Sequence, residues 1–194
     1  MKKYQIIYAD PPWVYQDKSK SHGGGAESHY KCTPTEELGK LVIPAEDNSV
    51  LLMWCTYPQL EEGLKLIKLW GFKFKTVAFT WVKTNKDGSI YMGMGRHTRA
   101  NAEICLLGIR GKGVPRKNAG IYNTQLHPRT RHSEKPVKFR NDIVDLYGVG
   151  TTRLEMFARD HAAPSWDAWG DEIESDVQLQ TSSPGSEQTV DTLT

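Results

Sequence analysis

Residues 49–55 read Ser-Val-Leu-Leu-Met-Trp-Cys, with no alternation of polar and apolar positions. A strand apolar on both faces must be covered on both, so this run predicts a central strand of a sheet lying between two layers. Residues 4–9 (Tyr-Gln-Ile-Ile-Tyr-Ala), 76–82, 103–109 and 152–158 read as further strands. Between them lie helical patterns. Leu60, Leu64, Ile67 and Trp70 recur at helical spacing and Gly71 stops them. Pro136 opens a helix reaching Tyr147, with Val137, Ile143 and Val144 on its apolar side. Thr33, Pro34 and Glu36 have the form of a capping box. Strands alternating with helices predict an α/β fold, a mostly parallel sheet with helices on both faces.

Ligands in such sheets lie beyond the carboxyl ends of the strands. Asp10 and Arg159 both follow a strand's carboxyl end, and so are candidates for one cleft. A chain of 194 residues suits one domain, here residues 1–173. From residue 174 to 194, Ser, Thr, Gln, Asp and Glu dominate, which predicts a disordered acidic and polar tail. Three scattered cysteines, two of them in apolar runs, fit buried thiols in a reducing compartment. No stretch approaches the roughly 20 apolar residues of a membrane span, and the first apolar run is too short for a signal peptide. The expectation is a cytoplasmic protein.

The first strand stops at Asp10-Pro11-Pro12-Trp13, because the prolines forbid its continuation. A glycine-rich loop of about twenty residues follows, a length usually reserved for function. A carboxylate and a rigid backbone carbonyl, at Asp10 and Pro11, suit one task well. They can accept hydrogen bonds from the hydrogens of an aromatic amine and favour its pyramidal, nucleophilic form. The prolines pre-organise those acceptors, and Trp13 offers a flat face for an unstacked base.

Further landmarks stand in order along the chain. They are Tyr8-Ala9-Asp10-Pro11-Pro12-Trp13, His29-Tyr30 with Thr33 and Glu36-Glu37-Leu38, Leu52-Met53-Trp54 and Leu69-Trp70-Gly71-Phe72. Trp81-Val82-Lys83-Thr84-Asn85, Glu103 to Gly108, Ser133-Glu134-Lys135-Pro136 and Leu154 to Arg159 complete the set. With these, the chain resembles the MT-A70 family of N6-adenine methyltransferases over residues 4–172. That family includes messenger-RNA enzymes and many phage and bacterial DNA enzymes.

The resemblance implies a Rossmann-like methyltransferase fold with permuted motif order, the catalytic motif preceding the main cofactor strand. It implies S-adenosyl-L-methionine as cofactor and Asp10, Pro11, Pro12 and Trp13 as the catalytic motif. Asp10, Lys135, Glu155, Arg159, His161, Gly170, Asp171 and Glu172 fall around the cofactor. Lys135 and His161 would face its methionine carboxylate, and Glu155 and Arg159 its ribose. Tyr30, Trp81, Lys83 and Glu103 fall around the substrate base. Trp54 and Trp70 read as core. Position 162 is Ala where RNA-acting relatives carry Asn, and position 134 is Glu where many carry His. A segment that covers the cofactor adenine in longer relatives is not found upstream of the motif.

Nucleic acid is the expected partner, DNA rather than RNA, with no membrane and with the monomer and homodimer both open. Net charge is only +2, so phosphate contacts must come from local clustering. Arg96 to Arg99, Arg110 to Lys112, Arg116-Lys117 and Arg129 to His132 form a basic stretch suited to it. No histidine pair has zinc spacing, and methyl transfer requires no metal. A catalytically silent nucleic-acid-binding subunit is the competing class, and the intact motif argues against it. Cytosine N4 is the competing target, and its enzymes more often carry Ser where Asp10 stands.

Overall fold

A computed structural model describes residues 2–14, 32–95, 97–129, 134–161 and 165–182. Its frame is a seven-stranded sheet of β1 (Tyr4–Ala9), β2 (Ala45–Cys55), β3 (Lys73–Thr84), β4 (Ala102–Arg110), β5 (Thr124–Pro128), β6 (Arg153–Met156) and β7 (Asp167–Trp169). The strand order is β5-β3-β4-β2-β1-β6-β7. Only β4 runs against its neighbours β2 and β3; every other pairing is parallel. Among the described residues three α-helices accompany the strands, α1 (Thr35–Leu38), α2 (Leu60–Leu69) and α3 (Val137–Tyr147), with a 3-10 turn at Tyr57–Gln59.

Alternation along β1 sorts the core in two. Ile7 and Ala9 join Leu51, Met53, Leu154 and Met156 in a cluster with Leu66, Ile67 and Trp70 from the α2 region. Ile6 and Tyr8 join Leu52, Trp54, Phe79 and Trp81 in a second cluster with Phe139, Ile143 and Tyr147 of α3. Fully burying each such side chain stabilises by about 2 kcal/mol. Cys55 and Cys105 are buried thiols, and Trp54 and Trp70 are core as expected.

One local expectation fails. The capping box does not form. Pro34 occupies the N-cap of a four-residue helix with no side-chain cap, because Thr33 is drawn into a bridge with Trp13. The strands β5 and β7 were not legible, being short, and β5 is half polar at a sheet edge. Part of the segment expected as a tail makes contacts with the domain. The Val42 N–H donates to the Gln180 carbonyl and the Ser182 N–H to that of Lys40, both at 2.8 Å, while Val177 and Leu179 pack on the first core cluster. No helix among the described residues is long and apolar enough to cross a membrane.

Candidate active site

The carboxyl ends of β1 and β6 lie side by side, with Tyr8 opposite Glu155 and Ala9 opposite Met156. Asp10 leaves β1 there, and its N–H reaches the Met156 carbonyl at 3.5 Å. Because β4 is reversed, its first residues come to the same end, with Glu103 opposite Trp81 of β3. Lys83 stands two residues further along β3. These placements assemble a chain of alternating charge. Lys83 Nζ lies 2.5 Å from Glu103 Oε1, and Lys135 Nζ lies 3.2 Å from Glu103 Oε2 and 2.5 Å from Asp10 Oδ2. Lys135 and Glu103 are nearly buried, whereas the Asp10 side chain keeps 29% of its surface open.

The electrostatics follow from that packing. Burial alone would depress Lys135, but the Asp10 and Glu103 carboxylates outweigh it and hold the ammonium charged well above its ordinary range. Burial would likewise raise Glu103, yet Lys135 and Lys83 together hold it below the ordinary carboxylate value. Asp10 goes the other way. Burial raises it and Glu103 adds to the rise, against the opposing pull of Lys135 and Arg159. Asp10 is therefore an acceptor held at some electrostatic cost, open to an incoming donor.

At the end of β6, Glu155 is buried and divided in its contacts. Its Oε1 accepts from Arg140 Nη2 at 2.7 Å, while its Oε2 is buried with no partner among the described residues. Phe157 then takes a left-handed φ of 61°. Such strain in a non-glycine residue concentrates at ligand sites. Gly170 crosses so near this turn that an added Cβ would lie 2.0 Å from the Ala158 carbonyl oxygen. Arg159 Nε faces Glu172 Oε1 at 3.7 Å, closing the same corner. A buried acceptor without a donor suits a hydroxyl-bearing ligand, since leaving it unmade costs about 1–3 kcal/mol.

Asp10, Lys83, Glu103 and Lys135 thus come together, and Glu155, Arg159, Gly170 and Glu172 gather beside them. Lys135, expected at a methionine carboxylate, is engaged by Asp10 and Glu103. His161 is 57% exposed, with Nδ1 3.7 Å from Asp176 Oδ2, and Asp171 is exposed as well. Two aromatic residues expected at the site are buried. Trp13 is buried in the first core cluster and donates through Nε1 to the Trp54 carbonyl at 3.1 Å, which anchors the motif. Trp81 is buried and donates to the His127 carbonyl at 2.9 Å, with Lys83 over its ring. The Pro11 carbonyl already accepts from the Trp13 N–H at 2.9 Å, which leaves one of its two lone pairs. Tyr30 lies outside the described residues.

The basic stretch is split by the reversal of β4. Arg110 sits at the opposite end of the sheet from Asp10, with Nη2 2.6 Å from the Trp70 carbonyl and its guanidinium over Phe72. Lys112 and Lys117 are tied by their backbones to Asn48 and Leu146 at that same end. Arg129 is at the cleft end, stacked 3.6 Å over Tyr91, whose N–H donates to the Lys83 carbonyl. Sequence reading missed Arg140 entirely. Its only signal is a position on α3 next to buried Phe139, which marks nothing until the fold sets α3 against β6.

A family model described as MT-A70 matches residues 4–172. The chain is 35% identical over 201 residues to the type II methyltransferase M.MunI of a Mycoplasma species, covering 93% of this chain and 82% of that protein. It is 28% identical to an N(6)-adenosine-methyltransferase MT-A70-like protein of Drosophila melanogaster, covering 89% of this chain and 27% of the relative. An N(6)-adenosine-methyltransferase MT-A70-like protein of Arabidopsis thaliana is 26% identical, with 88% and 24% covered. The chain therefore spans about a quarter of those two relatives and most of the first.

Proposed function

The chain belongs to the MT-A70 family, and from that premise we propose that it transfers a methyl group from S-adenosyl-L-methionine to the N6 amine of adenine in DNA. One observation carries the reading: the Asp10 carboxylate and the unpartnered Glu155 Oε2 stand at the adjacent carboxyl ends of β1 and β6. We assign the fold as the permuted methyltransferase arrangement, with Asp10 early, the cofactor strand β6 late, and helices over both faces of the sheet. The residues fit the cofactor. Glu155 would accept from its ribose hydroxyls, with Arg159, His161, Gly170, Asp171 and Glu172 around it. When bound, it supplies an electrophilic methyl group on a sulfonium centre.

The chain's own residues do the rest. Asp10 and the free lone pair of the Pro11 carbonyl accept the two amine hydrogens and aim the nitrogen lone pair at the methyl group. Lys135 is held above its ordinary range and stays cationic, so it cannot act as the base. It steadies Asp10 and Glu103 instead. The proton lost by the methylated amine passes to Asp10 or to solvent at the open side of the cleft. Tyr30, Lys83 and Glu103 border the base. Arg129 and Arg99, at the cleft end, contact phosphates without reading sequence.

DNA is preferred to RNA because M.MunI, at 35% identity, matches over most of both chains. Labelled cofactor incubated with DNA and RNA pools, followed by digestion and nucleoside mass spectrometry, tests the assignment. Label in N6-methyldeoxyadenosine supports it. Label only in the ribonucleoside moves the substrate to RNA. No label with either pool points to a catalytically silent binding subunit.

A further inference from the structure

Arg140 belongs to none of the motifs that carry the family likeness, yet it makes the most direct contact with the buried Glu155. We infer that Arg140 is a positioning residue for the cofactor pocket: it holds Glu155 by one oxygen so that the other is presented to the ribose hydroxyls. The inference rests on reading the surroundings of Glu155 as an S-adenosylmethionine pocket.

The geometry is specific. Arg140 Nη2 lies 2.7 Å from Glu155 Oε1 and 3.2 Å from Asp160 Oδ1. One guanidinium therefore spans the turn that begins at Phe157 with φ 61°. The charge-assisted bond ties down Oε1, and burial of the side chain limits its rotation, so the second oxygen is left for a ligand. That second oxygen, Oε2, is the buried acceptor with no donor. An anionic oxygen requires a ligand that donates, so hydroxyls suit it and a phosphate does not. Arg140 carries only donors, and its Nη2 is shared between Glu155 and Asp160, so toward Glu155 its part is to orient.

The groups facing Glu155 come from three elements: Arg140 on α3, Asp160 after β6, and Tyr8 and Asp10 from β1. Burial raises the Glu155 carboxyl and Arg140 opposes that rise, with Asp160 and Asp10 adding to it. Removing the guanidinium leaves only the raising influences. Protonation of Glu155 then begins at higher pH, and a protonated carboxyl is a poorer acceptor for a diol.

Calorimetry with S-adenosylhomocysteine, and with an analogue lacking both ribose hydroxyls, tests this on the wild type, Arg140→Met, Arg140→Lys and Glu155→Gln. Arg140→Met is expected to weaken binding of S-adenosylhomocysteine by about tenfold or more. Arg140→Lys should recover part of the loss. For the analogue the Met penalty should shrink to about threefold or less, as it must if the coupling runs through the hydroxyls. In Arg140→Met the affinity should also fall off on the acid side at a higher pH than in the wild type. Unchanged affinity of Arg140→Met beside a binding wild type would overturn this inference alone, as would an equal penalty for both ligands. No binding by the wild type would overturn the pocket reading and this inference with it. Should Arg140→Met fail to fold, the Lys variant carries the same comparison between the two ligands.

Discussion

Asp10 and Lys135 lie 125 residues apart and meet at 2.5 Å, which makes the residue scale the one where function can be tested most directly. Asp10→Asn should lower methyl transfer by on the order of 10²–10³-fold, as removal of a pre-organised polar group does, with a melting temperature close to wild type. Wild-type activity in that variant would dismiss the mechanism. The acid limb of the rate should lie above the usual carboxylate range. Burial and Glu103 raise Asp10 against Lys135 and Arg159, and the form that accepts from the amine is the ionised one. Activity is thus lost as pH falls through that raised value; a limb at an ordinary carboxylate pKa would contradict it. Lys135→Met leaves Asp10 and Glu103 facing each other without their shared cation. It should cost roughly 3 kcal/mol in denaturant unfolding, measured at neutral pH. Residue identities were the most legible part of the site, because Asp-Pro-Pro-Trp and the later landmarks are chemical words. Side-chain direction was not. Trp13 and Trp81 are the right type for base stacking, but a sequence does not say which face of its strand or loop meets the core.

Elements were legible where burial writes a long apolar run, as in β1, β2 and β4. They were hidden where a strand is short or exposed, as in β5 with its Thr-Gln-Leu-His-Pro and β7 with three residues. Register then decides the site in ways no motif announces. Lys83 and Trp81 are two apart on β3, so the same alternation that buries the indole carries the ammonium to Glu103. The segments that follow β6 and β7 pack closely beside the pocket. The Ala158 N–H donates to the Trp169 carbonyl at 2.9 Å, and Gly170 follows with no room for a Cβ. Gly170→Ala should destabilise by roughly 3 kcal/mol and lower cofactor affinity along with it. A thermal shift near zero would show that the turn can yield.

Across the whole molecule, the segment ending at Ser182 is hydrogen-bonded to residues 40–42 and packs Val177 and Leu179 on the first core cluster. A chain ended after residue 182 should melt like the full one. A chain ended after residue 174 loses the Val177 and Leu179 contacts and the pairing with residues 40–42. It should be less stable by roughly 2–4 kcal/mol, as read by calorimetric melting, and equal melting of the two would refute the packing. An average of composition does not register two apolar residues placed where they meet a core. The reversal of β4 has a wider consequence. It sends the connection between β3 and β4 to the cleft and the connection between β4 and β5 to the far end of the sheet. The two loops, separated by a single strand, are therefore open to change under different rules. Residues 85–101 are where lengthening would reshape what the cleft admits. The exposed residues 115–120 of the second loop are where a tag, a fluorophore or a whole guest domain could be spliced in while the chemistry at the other end goes on undisturbed.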